Sequence, residues 1–402
     1  MRIAFLTYEN PSAENTGDSQ YTAGLLRALI GHGHHVHLVF FSEDLAADSA
    51  AALDKYASAT TIVPFFRPSM LRVVASPKPG MIAHRFSADY INAVRSLLEH
   101  EAFDAVVVNF FKMAYLIDVI KSVSPSVPAV LISHNAEKQN SCSLYRHQAN
   151  PVWWLGCFQD WVKTAYYEPI LLRQFDAVTT ICSVDRVFYE REYGLRHVSV
   201  VPAGWDGSRN FALDQKEVLP NVIVCGSFTW QPKKQNLLSL LNCPGFKRFH
   251  EHGITVYLVG HAEKGFVEFV NSQYPGVVMT GTVDDVSPFY GRCSVALVPE
   301  RMGGGFKLKL LEAAAYGTGI VAVKGAVTDE GFQRGVHFLE ADSYEDLVDT
   351  AIGLVDHGEQ LKTLRTNARA LLASRYNWEF SYRALMAAID DARQVSQPGQ
   401  RD

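Results

Sequence analysis

The chain has 402 residues, 48% of them hydrophobic and 20% charged, with a net charge of −5. That length exceeds what one hydrophobic core fills, so two domains are expected, with the balance of an ordinary soluble globular protein. The mild negative charge gives no bulk drive toward nucleic acid, no run approaches the ~18 uncharged apolar residues needed to span a bilayer, and residues 3–8 are too short for a signal-peptide core; the expectation is a cytoplasmic protein.

Residues 2–8 read as a compact apolar strand, and 10–19 are turn chemistry ending around Gly17. Residues 21–30 carry helical spacing (Leu25, Leu26, Leu29), with Asp18 or Ser19 as N-cap, and 36–41 form a second strand. Strand, glycine loop, helix, strand is a βαβ unit, which predicts a parallel sheet. Gly17 belongs to no Gly-x-Gly-x-x-Gly run, yet its loop lies outside a strand's carboxyl end, where open α/β sheets bind ligands. His32, His34, His35 and His37 cluster around Gly31 and Gly33, which mark a turn rather than a metal set. The six cysteines include no Cys-x-x-Cys pair and read as reduced thiols, so no metal site is expected.

In 64–90, Arg67, Arg72, Lys78, His84 and Arg85 alternate with Phe65, Phe66, Met70, Leu71 and Met81. The mixture suits either a solvated loop or an anionic surface. Residues 105–109 and 129–133 are buried-strand candidates, and the second runs into His134-Asn135-Ala136-Glu137. A histidine just past a parallel strand either faces a ligand crevice or is a satisfied structural group. The aromatics of 150–173, among them Trp153, Trp154, Phe158, Trp161, Tyr166 and Tyr167, read first as core or interface packing, and second as a sugar-stacking or membrane-interface surface. Residues 177–182 and 198–201 complete the first sheet, and 202–207 punctuate the chain like a linker.

A second α/β cycle begins at 222–226, with further strands at 255–259, 277–279, 295–298 and 320–323 and closing helices at about 343–356, 359–375 and 378–393. Gly226-Ser227 is another strand-to-loop glycine, followed by Lys233 and Lys234. After 295–298 come Gly303, Gly304 and Gly305, then Phe306, Lys307 and a run of helix formers containing Lys309 and Glu312. Such a turn aims backbone N–H groups at an anion, and two basic sites could converge on one pyrophosphate. Glu312 lies at i+3 from Lys309, so it either pairs with that lysine or accepts from two sugar hydroxyls. The constellation suits a molecule with a pyrophosphate at one end and a ribose at the other.

With these residues laid out, the chain resembles the GT-B glycosyltransferases, most closely the large nucleotide-sugar-dependent family four, or "group one". The resemblance is carried by Gly226–Pro232, by the Gly-Gly-Gly variant of the donor motif through Glu312, and by Ser133-His134-Asn135 with Glu137. It implies two Rossmann-like domains facing across a cleft: an acceptor-side domain over 1–203, a donor domain over 204–376, and a final segment, 377–402, that crosses back to the first domain. It implies a retaining, metal-independent transfer from a nucleoside diphosphate sugar to a hydroxyl acceptor, with no bound cofactor. Glu312 would bind the donor ribose; Lys307, Lys234, Phe306 and the backbone of Gly226, Ser227 and Gly303–Gly305 would hold the rest of the donor. His134 would contact the transferred sugar, with Gly17 and Asp18 beside it. The commoner motif has a glutamate where this chain has Gly304, and Glu300 lies four residues too early to replace it simply. A sugar-nucleotide epimerase of the same fold, for which Glu137 is the residue to watch, and a catalytically silent subunit remain as alternatives. An NAD-linked oxidoreductase lacks its glycine fingerprint. Basic 65–85 and aromatic 153–167 motivate peripheral contact of the first domain with a membrane that carries a lipid-linked acceptor.

Overall fold

The computed structural model describes residues 1–14, 16–49, 53–146, 148, 150–207, 219–229, 231–301, 306–328 and 331–396. They form two compact units: Met1–Gly204 with Trp378–Asp402, and Trp205–Asn377.

The first unit holds strands β1 (Arg2–Leu6), β2 (His35–Ser42), β3 (Ala59–Pro64), β4 (Ala105–Asn109), β5 (Ala129–Ser133), β6 (Ala177–Thr180) and β7 (Val198–Val200). They make one parallel sheet in the order β3-β2-β1-β4-β5-β6-β7. Ile3 sits opposite Val36 on one side and Ala105 on the other. β4 and β5 are buried along their whole length, because helices cover both faces and no strand needs a polar side. β3 was not legible as a strand: it is a half-exposed edge, rich in threonine and ending on Pro64, with no continuous apolar run.

The second unit holds β8 (Val222–Cys225), β9 (Val256–Val259), β10 (Val277–Gly281), β11 (Val295–Val298), β12 (Gly319–Val323) and β13 (Leu339–Ala341), in the order β10-β9-β8-β11-β12-β13. Both units are thus Rossmann-like. Strand order reverses between β1 and β4 in one sheet and between β8 and β11 in the other, which opens a crevice at the carboxyl ends of those strands.

The helix Trp378–Ser396 belongs to the first unit. It packs on the helix Gly17–Gly31, where a Cβ on Gly24 would fall 2.0 Å from the Trp378 ring, so glycine is needed for the close approach. Ser381 Oγ donates to the Pro202 carbonyl at 2.7 Å. Two of the clustered histidines serve this packing. His32 stacks on Tyr382 with ring centroids 3.7 Å apart, His34 bonds the Tyr382 hydroxyl at 2.9 Å, and His37 turns the other way to Thr61 at 2.8 Å.

Two sequence expectations are corrected here. Residues 64–90 are not a plain loop: they contain the helices Met70–Ala75, capped by Ser69, and Gly80–Arg85. Arg85 is not solvated but lies over the rings of Phe65 and Tyr8. The aromatic segment is the helix Pro151–Leu172, and it is only partly core: Trp153, Trp154 and Tyr166 are exposed, while Phe158 and Trp161 meet Tyr145 on the preceding helix. Among the described residues no helix is long and apolar enough to cross a membrane.

Candidate active site

In the second unit the crevice between β8 and β11 gathers charge. Glu300, two residues past β11, is buried and ion-paired with Lys309 Nζ. Burial alone would raise its carboxyl, but the Lys309 ammonium, with Lys307 and Lys233 adding positive field, holds it below the usual carboxylate range. Lys309 also faces the β8 loop: a Cβ on Gly226 would lie 3.4 Å from its Nζ. Gly226 in turn is crossed by Gly260, where a Cβ would stand 2.0 Å from the Gly226 carbonyl oxygen at a φ of +136°, so only glycine fits. Glu312 accepts from the Tyr290 hydroxyl at 3.3 Å. Burial, and then the Glu312 carboxylate, push the Cys225 thiol up to about 12, so it is an inert wall of the crevice.

This geometry revises two sequence readings and gives the two adjacent lysines different neighbours. The helix opens at Lys309 and not at the glycines, so Lys307 precedes it. Lys309 pairs with Glu300 rather than with Glu312. Of the two adjacent lysines, Lys233 acts on Glu300 and Cys225, whereas Lys234 lies over the Phe266 ring at 4.4 Å, with Glu263 at 3.8 Å. Ser227 Oγ bonds Thr229, and Phe306 stacks on Tyr376. Gly303, Gly304 and Gly305 lie outside the described residues.

In the first unit the equivalent crevice collects neutral and desolvated groups. Thr16 caps the helix that begins at Gly17, through a reciprocal capping box with Ser19, which aims Asp18 across at β5. His134 is buried, with Nδ1 3.7 Å from Asp18 Oδ1 and Nε2 2.9 Å from Asn109 Oδ1. The Asn109 amide donates to Thr22 and Thr7, which fixes its oxygen toward the histidine and assigns the ring proton to Nε2. Burial lowers the His134 pKa against the pull of Asp18, so the ring is neutral at pH 7 and Nδ1 carries the lone pair.

Phe110 stacks on His134 at 3.7 Å, and it adopts a φ of +78°, a strained setting for a bulky residue that the end of β4 imposes beside the histidine. Lys112 caps the same wall 3.7 Å over the Tyr8 ring, its ammonium pushed down by burial. Burial raises Glu9 to about 7, as it does Glu137, where the neighbouring Glu168 carboxylate adds to the rise. Glu168 itself accepts the backbone N–H groups of Glu137 and Lys138 and the hydroxyls of Tyr189 and Tyr193, so it clamps the helix that follows His134. Glu9, Asn109, Phe110 and Lys112 were not singled out in the sequence; each follows a strand of the switch point or ends it, which is the signal that would have found them.

Models of two glycosyltransferase domains match the chain: a "glycosyl transferase 4-like domain" over residues 16–204 and "glycosyl transferases group 1" over 219–357. The chain belongs to the group 1 glycosyltransferases. Solved structures agree on the GT-B fold. Sucrose-phosphate synthase from Thermosynechococcus elongatus superposes with a TM-score of 0.74 at 16% identity, covering 96% of this chain and 99% of that one. Anabaena HepE, solved with UDP and glucose, gives 0.67 at 14%, with 97% and 99% covered. TarM gives 0.71 at 9%, with 97% and 98% covered. No curated protein matches the chain. As a group 1 glycosyltransferase, it carries its two clusters at the strand ends where this fold binds ligands.

Proposed function

We propose that this glycosyltransferase moves a sugar from a nucleoside diphosphate sugar to a hydroxyl acceptor with retention of the anomeric configuration, in the synthesis of a polysaccharide, glycolipid or other glycoconjugate. The observation that carries this reading is the buried Glu300–Lys309 pair with Lys307, Lys233 and Glu312 around one strand end. In the transition state the bond from the anomeric carbon to the diphosphate breaks and charge gathers on the leaving phosphate; lysines fixed beside it stabilise that charge without reorganising. Cationic side chains in this number can neutralise the diphosphate without a metal. Glu312, which accepts from the Tyr290 hydroxyl, is assigned to the two ribose hydroxyls on the family resemblance. Lys307, Lys234, Gly226, Ser227, Phe306 and Gly303–Gly305 are assigned to the donor on the family resemblance.

On the acceptor side, neutral His134 offers Nδ1 to a hydroxyl of the transferred sugar, with Asp18 and Gly17 at the adjacent helix start. The incoming hydroxyl bonds to the anomeric carbon on the face the diphosphate leaves, and its proton passes to the departing phosphate oxygen. UDP-containing relatives such as HepE support a uridine nucleotide as the first donor base to try.

The test is binding and turnover of a panel of nucleoside diphosphate sugars by wild type and Glu312→Ala. Saturable binding of one sugar nucleotide, release of its diphosphate and a loss of about 10- to 100-fold in the variant are expected, the scale of a hydrogen bond to a charged group. Equal binding by the variant would remove the ribose assignment. Two carboxyls held near 7, Glu9 and Glu137, favour the epimerase as a second reading. It predicts an inverted sugar still attached to its nucleotide and no diphosphate release.

A further inference from the structure

Ahead of β11 the chain turns through a five-residue helix, Ser287–Gly291, whose start is held by Asp285: its Oδ1 accepts the Ser287 N–H at 2.9 Å. Successive residues of a helix point about 100° apart, so the two rings of this one part company. Phe289 turns toward Tyr257, with ring centroids 6.2 Å apart, and Tyr290 turns into the unit, where it is 1% exposed. A hydroxyl buried to that degree needs a partner or costs the desolvation of a polar group. The partner is Glu312, whose Oε2 accepts from it at 3.3 Å.

The Tyr290 ring is fixed independently of that bond. It stacks on Tyr316 with centroids 4.8 Å apart, and Tyr316 meets Trp205 edge-on at 5.9 Å. Tyr316 is the C-cap of the helix Lys309–Ala315, four residues beyond Glu312. Residues four apart share a helix face. Tyr290 therefore spans one turn of that helix: its ring packs on Tyr316 and its hydroxyl reaches Glu312.

Charge sets the direction of the bond. Two groups flank the hydroxyl, the Glu312 carboxylate and the Cys225 thiol at the end of β8. Burial pushes the thiol up to about 12, so it keeps its proton and is uncharged at pH 7. The phenol has a single proton, which burial also retains. That proton goes to the carboxylate, because a carboxylate only accepts and the charge-assisted bond is the stronger one. The terminal torsion of a glutamate is otherwise broad and roughly two-fold. A donor held in place by stacking narrows it before any ligand arrives, so less side-chain freedom is lost on binding.

We propose that Tyr290 is a positioning residue for the donor: by fixing the plane of the Glu312 carboxylate, it sets how strongly the protein prefers a ribonucleotide to a deoxyribonucleotide. The proposal rests on the reading of Glu312 as the ribose contact. Tyr290 is buried and acts through the carboxylate rather than by contact with the donor.

The test is calorimetric binding of UDP, ADP and GDP, each beside its 2′-deoxy form, to wild type, Tyr290→Phe and Glu312→Ala. Tyr290→Phe keeps the ring on Tyr316 and removes only the hydroxyl. Wild type is expected to prefer the ribonucleotide, and Tyr290→Phe to lose about 3- to 10-fold of that preference, the scale of one hydrogen bond. Both nucleotides are measured on the same variant, so a loss of folded protein lowers both and leaves their ratio alone. In turnover with the donor that the panel identifies, KM should rise about 3- to 10-fold with kcat within about twofold, because the ribose contact is made equally in the ground and transition states. Should Tyr290→Phe fail to fold, Tyr316→Leu loosens the ring with its hydroxyl in place and is expected to lower the same ratio about two- to threefold. Wild type that binds ribo and deoxy forms alike, as Glu312→Ala does, would remove the ribose reading and the proposal with it. Wild type that discriminates, beside a Tyr290→Phe or Tyr316→Leu variant that discriminates equally well, would overturn the positioning role and leave the ribose reading standing.

Discussion

The two sheets place their strand-order reversals alike, yet the chemistry collected there is opposite. At β8 and β11 the chain assembles lysines around a buried, ionised Glu300. At β1, β4 and β5 it assembles a neutral histidine, carboxyls raised toward neutral pH and a lysine pushed down by burial. Topology therefore supplies a crevice, and only the side chains at its lip decide whether it suits an anion or a polyhydroxyl molecule. In the first crevice desolvation shifts the buried groups away from their charged forms; in the second, pairing keeps them charged.

That contrast can be broken at its strongest point. Lys309→Ala leaves Glu300 buried without its cation and is expected to cost about 3–5 kcal/mol in urea unfolding of the second unit, whereas Lys309→Met combined with Glu300→Leu should recover most of it. If the single variant unfolds as wild type does, the pair is not what holds the carboxylate ionised. The first crevice should instead show itself in pH dependence. Glu137 has an ordinary value of 4.5 and stands at about 7 in the folded protein, so its contribution to stability is full below about 4.5 and is lost as pH rises to about 7. Glu137→Gln should flatten that part of the stability profile by up to about 1.4 kcal/mol per pH unit, measured by urea midpoints.

Smaller effects sharpen the picture. Gly260→Ala forces a side chain into a left-handed setting against the Gly226 carbonyl, with an expected cost of about 1–3 kcal/mol and weaker sugar-nucleotide binding through the displaced Gly226 loop. Calorimetric melting with and without the donor separates the two. Arg67→Gln removes only an exposed, solvent-screened pair with Glu43 and should leave the melting temperature unchanged; a clear loss in thermal unfolding would mean that this segment is held more firmly than its exposure implies.

Much of the fold was legible because fully buried parallel strands are short apolar runs: 105–109, 129–133, 222–225 and 295–298 stand out as such. β3 and β13 did not, one being a threonine-rich edge and the other three residues long. In the site, His134, Glu312 and Lys307 could be named from their place after strands, while the partners could not. Glu300 with Lys309, nine residues apart, and His134 with Asn109, from neighbouring strands, meet only when loops fold back over the sheet. The same limit explains the aromatic helix. Hydrophobicity alone reads Trp153 as core, and its outward face depends on which side Glu168 and Thr164 bury.

The sequence by itself determined the alternation of strand and helix, the two-unit division and the residues at strand ends, because these rest on local periodicity and turn chemistry. The tertiary structure alone decided which lysine meets which carboxylate, what surrounds each of the two adjacent lysines, and which groups burial shifts away from their charged forms. Those outcomes depend on desolvation and on distances between side chains remote in the chain, and no local pattern encodes either.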